Sequence, residues 1–182
     1  MSNIDRKNDH GLERKWIARS LALNAAAERL FDSMQESVDT YSHVLEKENG
    51  FLGVYTADVI LSSLLLLNIS AESIVKAKII KEKNGKKSLK KFRSRHESVV
   101  SYAKKAKITL SQEEEEVLNS LHSLSSCGFS PDMEKNESQI IGHIASHYTK
   151  MEMYFTTVRS FLFRVCRLMA FEFRSPLPAR LA

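Results

Sequence analysis

The sequence predicts an all-α fold, an up-and-down bundle of four to five long helices, on three observations. Breakers are scarce: six Gly and three Pro in 182 residues, with Pro176 and Pro178 in the last seven. An all-β chain would need turn residues at intervals of about ten positions. The stretch Ala57–Ile69 is apolar on almost every side, through Val59, Ile60, Leu61, Leu64, Leu65, Leu66, Leu67 and Ile69, relieved after Asp58 only by Ser62, Ser63 and Asn68. A helix with no face left for water belongs inside a bundle. Finally, Ile141, Ile144, Tyr148, Met151, Phe155, Val158, Leu162, Val165 and Met169 alternate steps of three and four, the a/d seam of a long packed helix.

Composition sets the frame. Hydrophobic residues make up 43% and charged residues 27%, ordinary for a water-soluble domain. A single bundle domain is expected over 12–174, between tails at 1–11 and 175–182. The polar start, Met1–Gly11, has no apolar signal core. Cys127 and Cys166 lie far apart with no CxxC spacing, which fits a reduced, cytoplasmic setting. The central apolar run, bounded by Asp58 and Asn68, reads as too short for a membrane span, which needs about 20 apolar residues.

Each helix has its own signal. The first is expected from Leu12 to Glu48, with Trp16, Leu23, Ala27, Leu30, Met34, Val38, Tyr41 and Leu45 on one stripe and a candidate break between Asp32 and Asp39. Asn49-Gly50 reads as its stop, since both residues tolerate left-handed geometry. The second is expected over Val54–Lys83, with Ser70 a candidate kink and Asn84-Gly85 its stop. The third, Ser88–Lys107, places Leu89, Phe92, His96, Val99, Ala103 and Ala106 on one side. The fourth opens at Ser111-Gln112-Glu113-Glu114, a capping box whose acids also suit the positive end of the helix dipole. It fails at Ser125–Gly128, before a loop containing Pro131. The fifth is expected over Ser138–Arg174, ending before Ser175-Pro176. Its seam, with extra apolar residues at Ile140, Phe161, Phe163, Leu168 and Phe171, points to a homodimer through the Ile141–Met169 face.

The strongest functional signal is electrostatic. From Lys76 to Lys107 there are thirteen Lys or Arg and only Glu82 and Glu97 against them, +11 in a chain of net +5, so the remainder carries −6. So few acids leave little room for pairing along the helix. Such a stripe suits RNA or another polyanion, with Lys81, Lys83, Lys86, Lys87, Lys90, Lys91, Arg93, Arg95, Lys104 and Lys105 as contacts. Phe92 and Tyr102 are the only aromatics in it, so base stacking has little support there. His96, with Lys91, Arg93 or Arg95 to hold phosphate, is the candidate acid/base of a metal-independent ribonuclease; a histidine on an apolar helix face is its competing reading. His143 and His147 form an HxxxH pair, a half-site at most, because structural zinc takes four ligands and no Glu follows His143. The cysteines have no base at nucleophile spacing. No cofactor is expected.

Between residues 55 and 131 the order of motifs resembles the HEPN superfamily. Ala71-Glu72-Ser73-Ile74-Val75-Lys76-Ala77 lies on an apolar helix, followed by a Lys-rich turn and His96. Ala103-Lys104-Lys105-Ala106-Lys107-Ile108-Thr109-Leu110 then leads to Ser111, a run of acids and Val117-Leu118-Asn119-Ser120-Leu121. Gly128-Phe129-Ser130-Pro131 falls where many members carry an aromatic-Pro turn. The resemblance implies a four- or five-helix bundle, usually a homodimer, linked to RNA cleavage, nucleotide binding or defence. Its ribonuclease members carry Arg, four to six residues, then His. Counting back five to seven from His96 meets Lys91, Lys90 and Leu89, and the same count from His43, His122, His143 and His147 meets no Arg either. The basic stripe and the missing Arg–His pair point to a non-catalytic HEPN-like dimer that binds RNA or an acidic partner. The alternatives are a divergent ribonuclease, kept by the resemblance alone, and a protein-only interaction module with the seam of the fifth helix as its interface.

Overall fold

The computed structural model describes residues 3–45, 49–82, 97–127 and 146–169. It is all-α, with no strand among the described residues. The helices are α1 (Asn3–Leu45), α2 (Asn49–Glu82), α3 (Val99–Lys105), α4 (Gln112–Cys127) and α5 (Met151–Leu168), the last preceded by a 3-10 turn at Tyr148–Lys150.

α1 and α2 form the frame. Trp16 lies beside Lys76 and Ser20 beside Ser70, so the two helices run antiparallel. At 43 residues α1 spans about 65 Å at 1.5 Å per residue. α2 touches all four other helices, as the central element should. Ala57, Ile60, Leu64, Leu67, Ala71, Ile74, Val75, Ala77, Ile79 and Ile80 are all buried. One narrow stripe faces outward: Asp58, Ser62 and Ile69 are exposed, with Leu61, Leu65 and Glu72 half-buried. α4 and α5 close the bundle. Glu28–Arg159 with Phe31–Phe155 sets α5 antiparallel to α1, and Glu114–Arg164 with Ser120–Tyr154 sets it antiparallel to α4.

Several expectations need correction. α1 begins at Asn3, so residues 3–11 are helical; with Ile4 their one apolar residue, they carry no packing signal, which does not argue against helix. α1 also runs unbroken past Asp32 and Asp39. Asn49-Gly50 opens α2 instead of closing α1. The helix over Ser88–Lys107 is not continuous, because Ser98 is extended (φ −68°, ψ 154°) and caps a seven-residue α3. Residues 83–96 and 128–145 lie outside the described set. In the last helix the seam is regular, but the backbone at Ser146–Lys150 is turn and 3-10, tightened by Lys150 N–H donating to His147 O at 2.9 Å. Of the described seam residues, Met151, Phe155, Val158, Leu162, Val165 and Met169 are buried in the chain's own core, while Tyr148 is exposed. By length and composition, Thr56–Glu82 meets the requirement for crossing a membrane. The run read as too short because counting stopped at Asn68, whereas Ala71–Ile80 continues it. Burial against four helices accounts for the same apolar content.

Ser70 is no kink. Its hydroxyl donates to Ser20 O at 2.7 Å, the Ser20 hydroxyl donates to Ser70 O at 2.8 Å, and both residues are fully buried. Each reaches a carbonyl of the opposite helix, so two small side chains fasten α1 to α2 where the backbones come close. Ser63 is equally buried, yet its Oγ has no hydrogen-bond partner among the described residues. An unmet buried hydroxyl costs about 1–3 kcal/mol, while a satisfied one contributes about 1. The same substitution should therefore act with opposite signs. Ser63→Ala should raise the urea midpoint, and Ser20→Ala or Ser70→Ala should lower it by the equivalent of about 1–3 kcal/mol.

Candidate polyanion-binding surface

α3 and the start of α4 carry the described end of the basic stripe. Ser98 Oγ accepts from Ser101 N–H at 3.2 Å and starts α3. The short helix then buries Val99, Val100, Tyr102 and Ala103, which turns Lys104 and Lys105 outward. It ends in a Schellman turn: Ile108 N–H donates to Ala103 O at 2.9 Å and Lys107 N–H to Lys104 O at 3.1 Å. Buried Ile108 and Ala103 supply its apolar contact. The turn needs a left-handed residue, and Lys107 takes it at φ 54°.

α4 starts with the expected capping box. Ser111 Oγ accepts from Glu114 N–H at 3.1 Å, and Glu114 Oε2 accepts from Ser111 N–H at 2.9 Å. The same carboxylate receives Arg164 through two nitrogens, at 3.2 and 2.7 Å. Glu113 accepts from Thr157 Oγ1 at 3.0 Å, so α4 is held to α5 from its first turn. Glu115 points the other way and meets Lys104 at 2.8 Å. Between α3 and α4 lies a shallow depression of about 600 Å³, lined by Ser98, Val100, Ser101, Lys104, Lys105, Glu115 and Asn119.

The stripe is less bare than its composition implied. Among its described cations, Lys76 pairs with Glu72, Lys78 with Glu82 at 3.0 Å, Lys104 with Glu115 and Lys105 with Glu97, while Lys81 donates to the Met169 carbonyl. Glu72 and Glu115 come from outside the stripe, where a count along the sequence does not find them. The exposed pairs are worth little, since water screens them and holding two long side chains costs entropy. Lys104, Lys105 and Lys107 are exposed, whereas Lys76 and Lys78 lie against the body. Lys83, Lys86, Lys87, Lys90, Lys91, Arg93, Arg95 and His96 fall outside the described residues.

The structure also joins to the stripe a residue that the sequence pattern had placed only on an apolar face. Trp16 of α1 has Arg19 Cζ and Lys76 Nζ each 5.4 Å from its ring centroid. Lys76 Nζ is also 6.0 Å from the Tyr102 ring, and Lys105 Nζ lies 5.8 Å from that ring. Arg19, Trp16, Lys76, Tyr102 and Lys105 thus alternate cation and aromatic across α1, α2 and α3. The only sequence signal was a tryptophan with a base three residues later, the spacing of one helix face.

The other candidates have structural occupations. His147 is buried and its Nδ1 lies 2.7 Å from Tyr154 Oη; His143 is outside the described residues. Among the described residues no three His, Cys, Asp or Glu come together as a metal cluster. Cys166 is buried, and burial pushes its thiol up to about 12, so it is not a thiolate at neutral pH. No family model matches this chain, and no curated protein or solved structure gives a significant match.

Burial, then the carboxylates of Glu97 and Glu72, raises the Tyr102 phenol above its ordinary value. Burial raises Tyr154 too, and a hydrogen bond with Ser120 offsets part of that. Both phenols ionise more readily in the unfolded chain. Their contribution is therefore complete below pH about 10 and declines as pH rises through the folded values. A Tyr102→Phe, Tyr154→Phe variant should lose stability less steeply than wild type in urea melts above pH about 10. Lys107→Gly should raise stability by at most about 1.5 kcal/mol. Relief of the left-handed strain is about 1–2 kcal/mol, and added backbone entropy takes back about 0.5–1; thermal melts at neutral pH measure the balance.

Proposed function

We propose that this chain is a non-catalytic, HEPN-like helical protein that binds RNA through the basic stripe of residues 76–107. The observation that carries the reading is the +11 charge of that segment, with Lys104, Lys105 and Lys107 exposed beside the α3–α4 depression. Clustered cations displace the counterions condensed on a phosphate backbone, which gives affinity without sequence readout. The absence of an Arg five to seven residues before His96 favours binding over cleavage, because Lys91 at that spacing is a point charge without the planar fork of the family's Arg. The homodimer expected through the Ile141–Met169 face remains part of the proposal: Met151, Phe155, Val158, Leu162, Val165 and Met169 fill the chain's own core, while Tyr148, Met153 and Leu168 are exposed.

The test is binding of labelled single-stranded RNA in EDTA across a salt series, with the RNA then run on a gel. Intact RNA and an affinity that falls steeply with salt are expected. Lys104→Glu, Lys105→Glu and Lys107→Glu together should weaken binding at least tenfold at low salt. They should also flatten the log–log salt slope by about 2, near 0.7 per phosphate contact on a single strand. Unchanged binding by the triple variant overturns the reading, and cut RNA replaces it with the ribonuclease.

A further inference from the structure

We infer that Trp16 is a stacking platform for one unpaired base of a single-stranded nucleic acid, joined to the stripe by the cations around its ring. The inference rests on the RNA-binding reading above and adds to it a preference for single strands. A charged stripe alone holds phosphates and is indifferent to whether the bases are paired. Stacking requires an aromatic face next to the cations, and among the described residues the stripe's own sequence offers none, because Tyr102 is buried; Phe92 lies outside the described residues. The fold supplies the ring from another helix.

Three features fit the role. Trp16 is half-buried and packed against the core, so the indole is anchored while part of it stays open. Lys76 is fixed beside it by Glu72 and by the Tyr102 ring, so one cation is already in place. Arg19 is exposed and sits one turn along the same helix, at 5.4 Å from the ring centroid. A base arriving on the indole displaces the Arg19 guanidinium from the ring, and that long side chain then reaches the phosphate next to the stacked base. Aromatic stacking is tolerant of base identity, because every base has a π-face. In a duplex those faces are occupied by neighbouring bases.

The chain has a single tryptophan, so its emission reports this position alone. The experiment titrates the full chain in EDTA at low salt with a short oligoadenylate, with duplex RNA and with heparin. Binding is followed by anisotropy and Trp16 by emission. The oligoadenylate should quench Trp16 by half or more, while duplex and heparin bind through charge and leave it nearly unchanged. Trp16→Leu should weaken oligoadenylate binding by about tenfold or more and leave heparin binding as it was. Circular dichroism shows whether that variant folds; if it does not, the wild-type quench still decides. Oligoadenylate that binds without changing Trp16 emission, or equally well to folded Trp16→Leu, overturns the platform and leaves the stripe standing. Failure of every polyanion to bind overturns both.

Discussion

The antiparallel contact between α1 and α2 is the constraint on which the other helices depend. Serine at Ser20 and Ser70 lets the backbones approach closely enough for each hydroxyl to reach a carbonyl of the opposite helix. Those bonds are buried, so neither partner can fall back on water. With one flank of α2 closed in this way, its remaining apolar surface must be covered from other directions, and α3, α4 and α5 all pack against it. The cluster formed by Ile74, Leu118, Leu121, Phe161 and Val165 is the result. Deleting one such large side chain, Leu64 for example, removes about 2–5 kcal/mol, a large part of what a domain of this size has in hand.

Charge fixes how the later helices sit. Arg159 reaches Glu28 and Arg164 reaches Glu114, both partly buried and both using two nitrogens. Arg164 meets both oxygens of Glu114, a fork that specifies orientation as well as proximity, while both Arg159 nitrogens share Glu28 Oε1, so α5 is held against α4 on one side and α1 on the other. Glu114 satisfies the first turn of its own helix and anchors a neighbour with the same carboxylate. The start of α4 and the seating of α5 are thereby one event.

Properties set by a single helix were legible in the sequence. Periodicity predicted the all-α class, the central helix and the seam, and the Ser111–Glu114 spacing predicted a cap that forms as drawn. Boundaries were less legible where a polar segment has no packing signal, as at Asn3–Gly11, or where Asn-Gly can serve either end of a helix. The break at Ser98 was hidden because Val99, Ala103 and Ala106 continue a helical pattern that fits the short α3 equally well. The surface was legible only as charge. Pairing of Lys104 with Glu115 and of Lys76 with Trp16 depends on which helices meet, and no count along the chain contains that. The seam of α5 is ambiguous in the same way: its regularity marks a packed helix without saying whether the partner is another chain or this one.

The lysines of the stripe come with carboxylates of the same molecule beside them. Glu97 and Glu115 stand where sodium or potassium would otherwise gather, so the protein holds part of its own ion atmosphere. A phosphate strand arriving at Lys104 or Lys105 exchanges with an acid that cannot diffuse away. The entropy won by ion release is smaller for those sites than for a bare lysine, and the displaced carboxylate stays close enough to repel. If the stripe binds polyanions as proposed, the internal acids would act as a filter: a few phosphates would gain little against them, whereas a long polyanion engaging many cations at once would outcompete them.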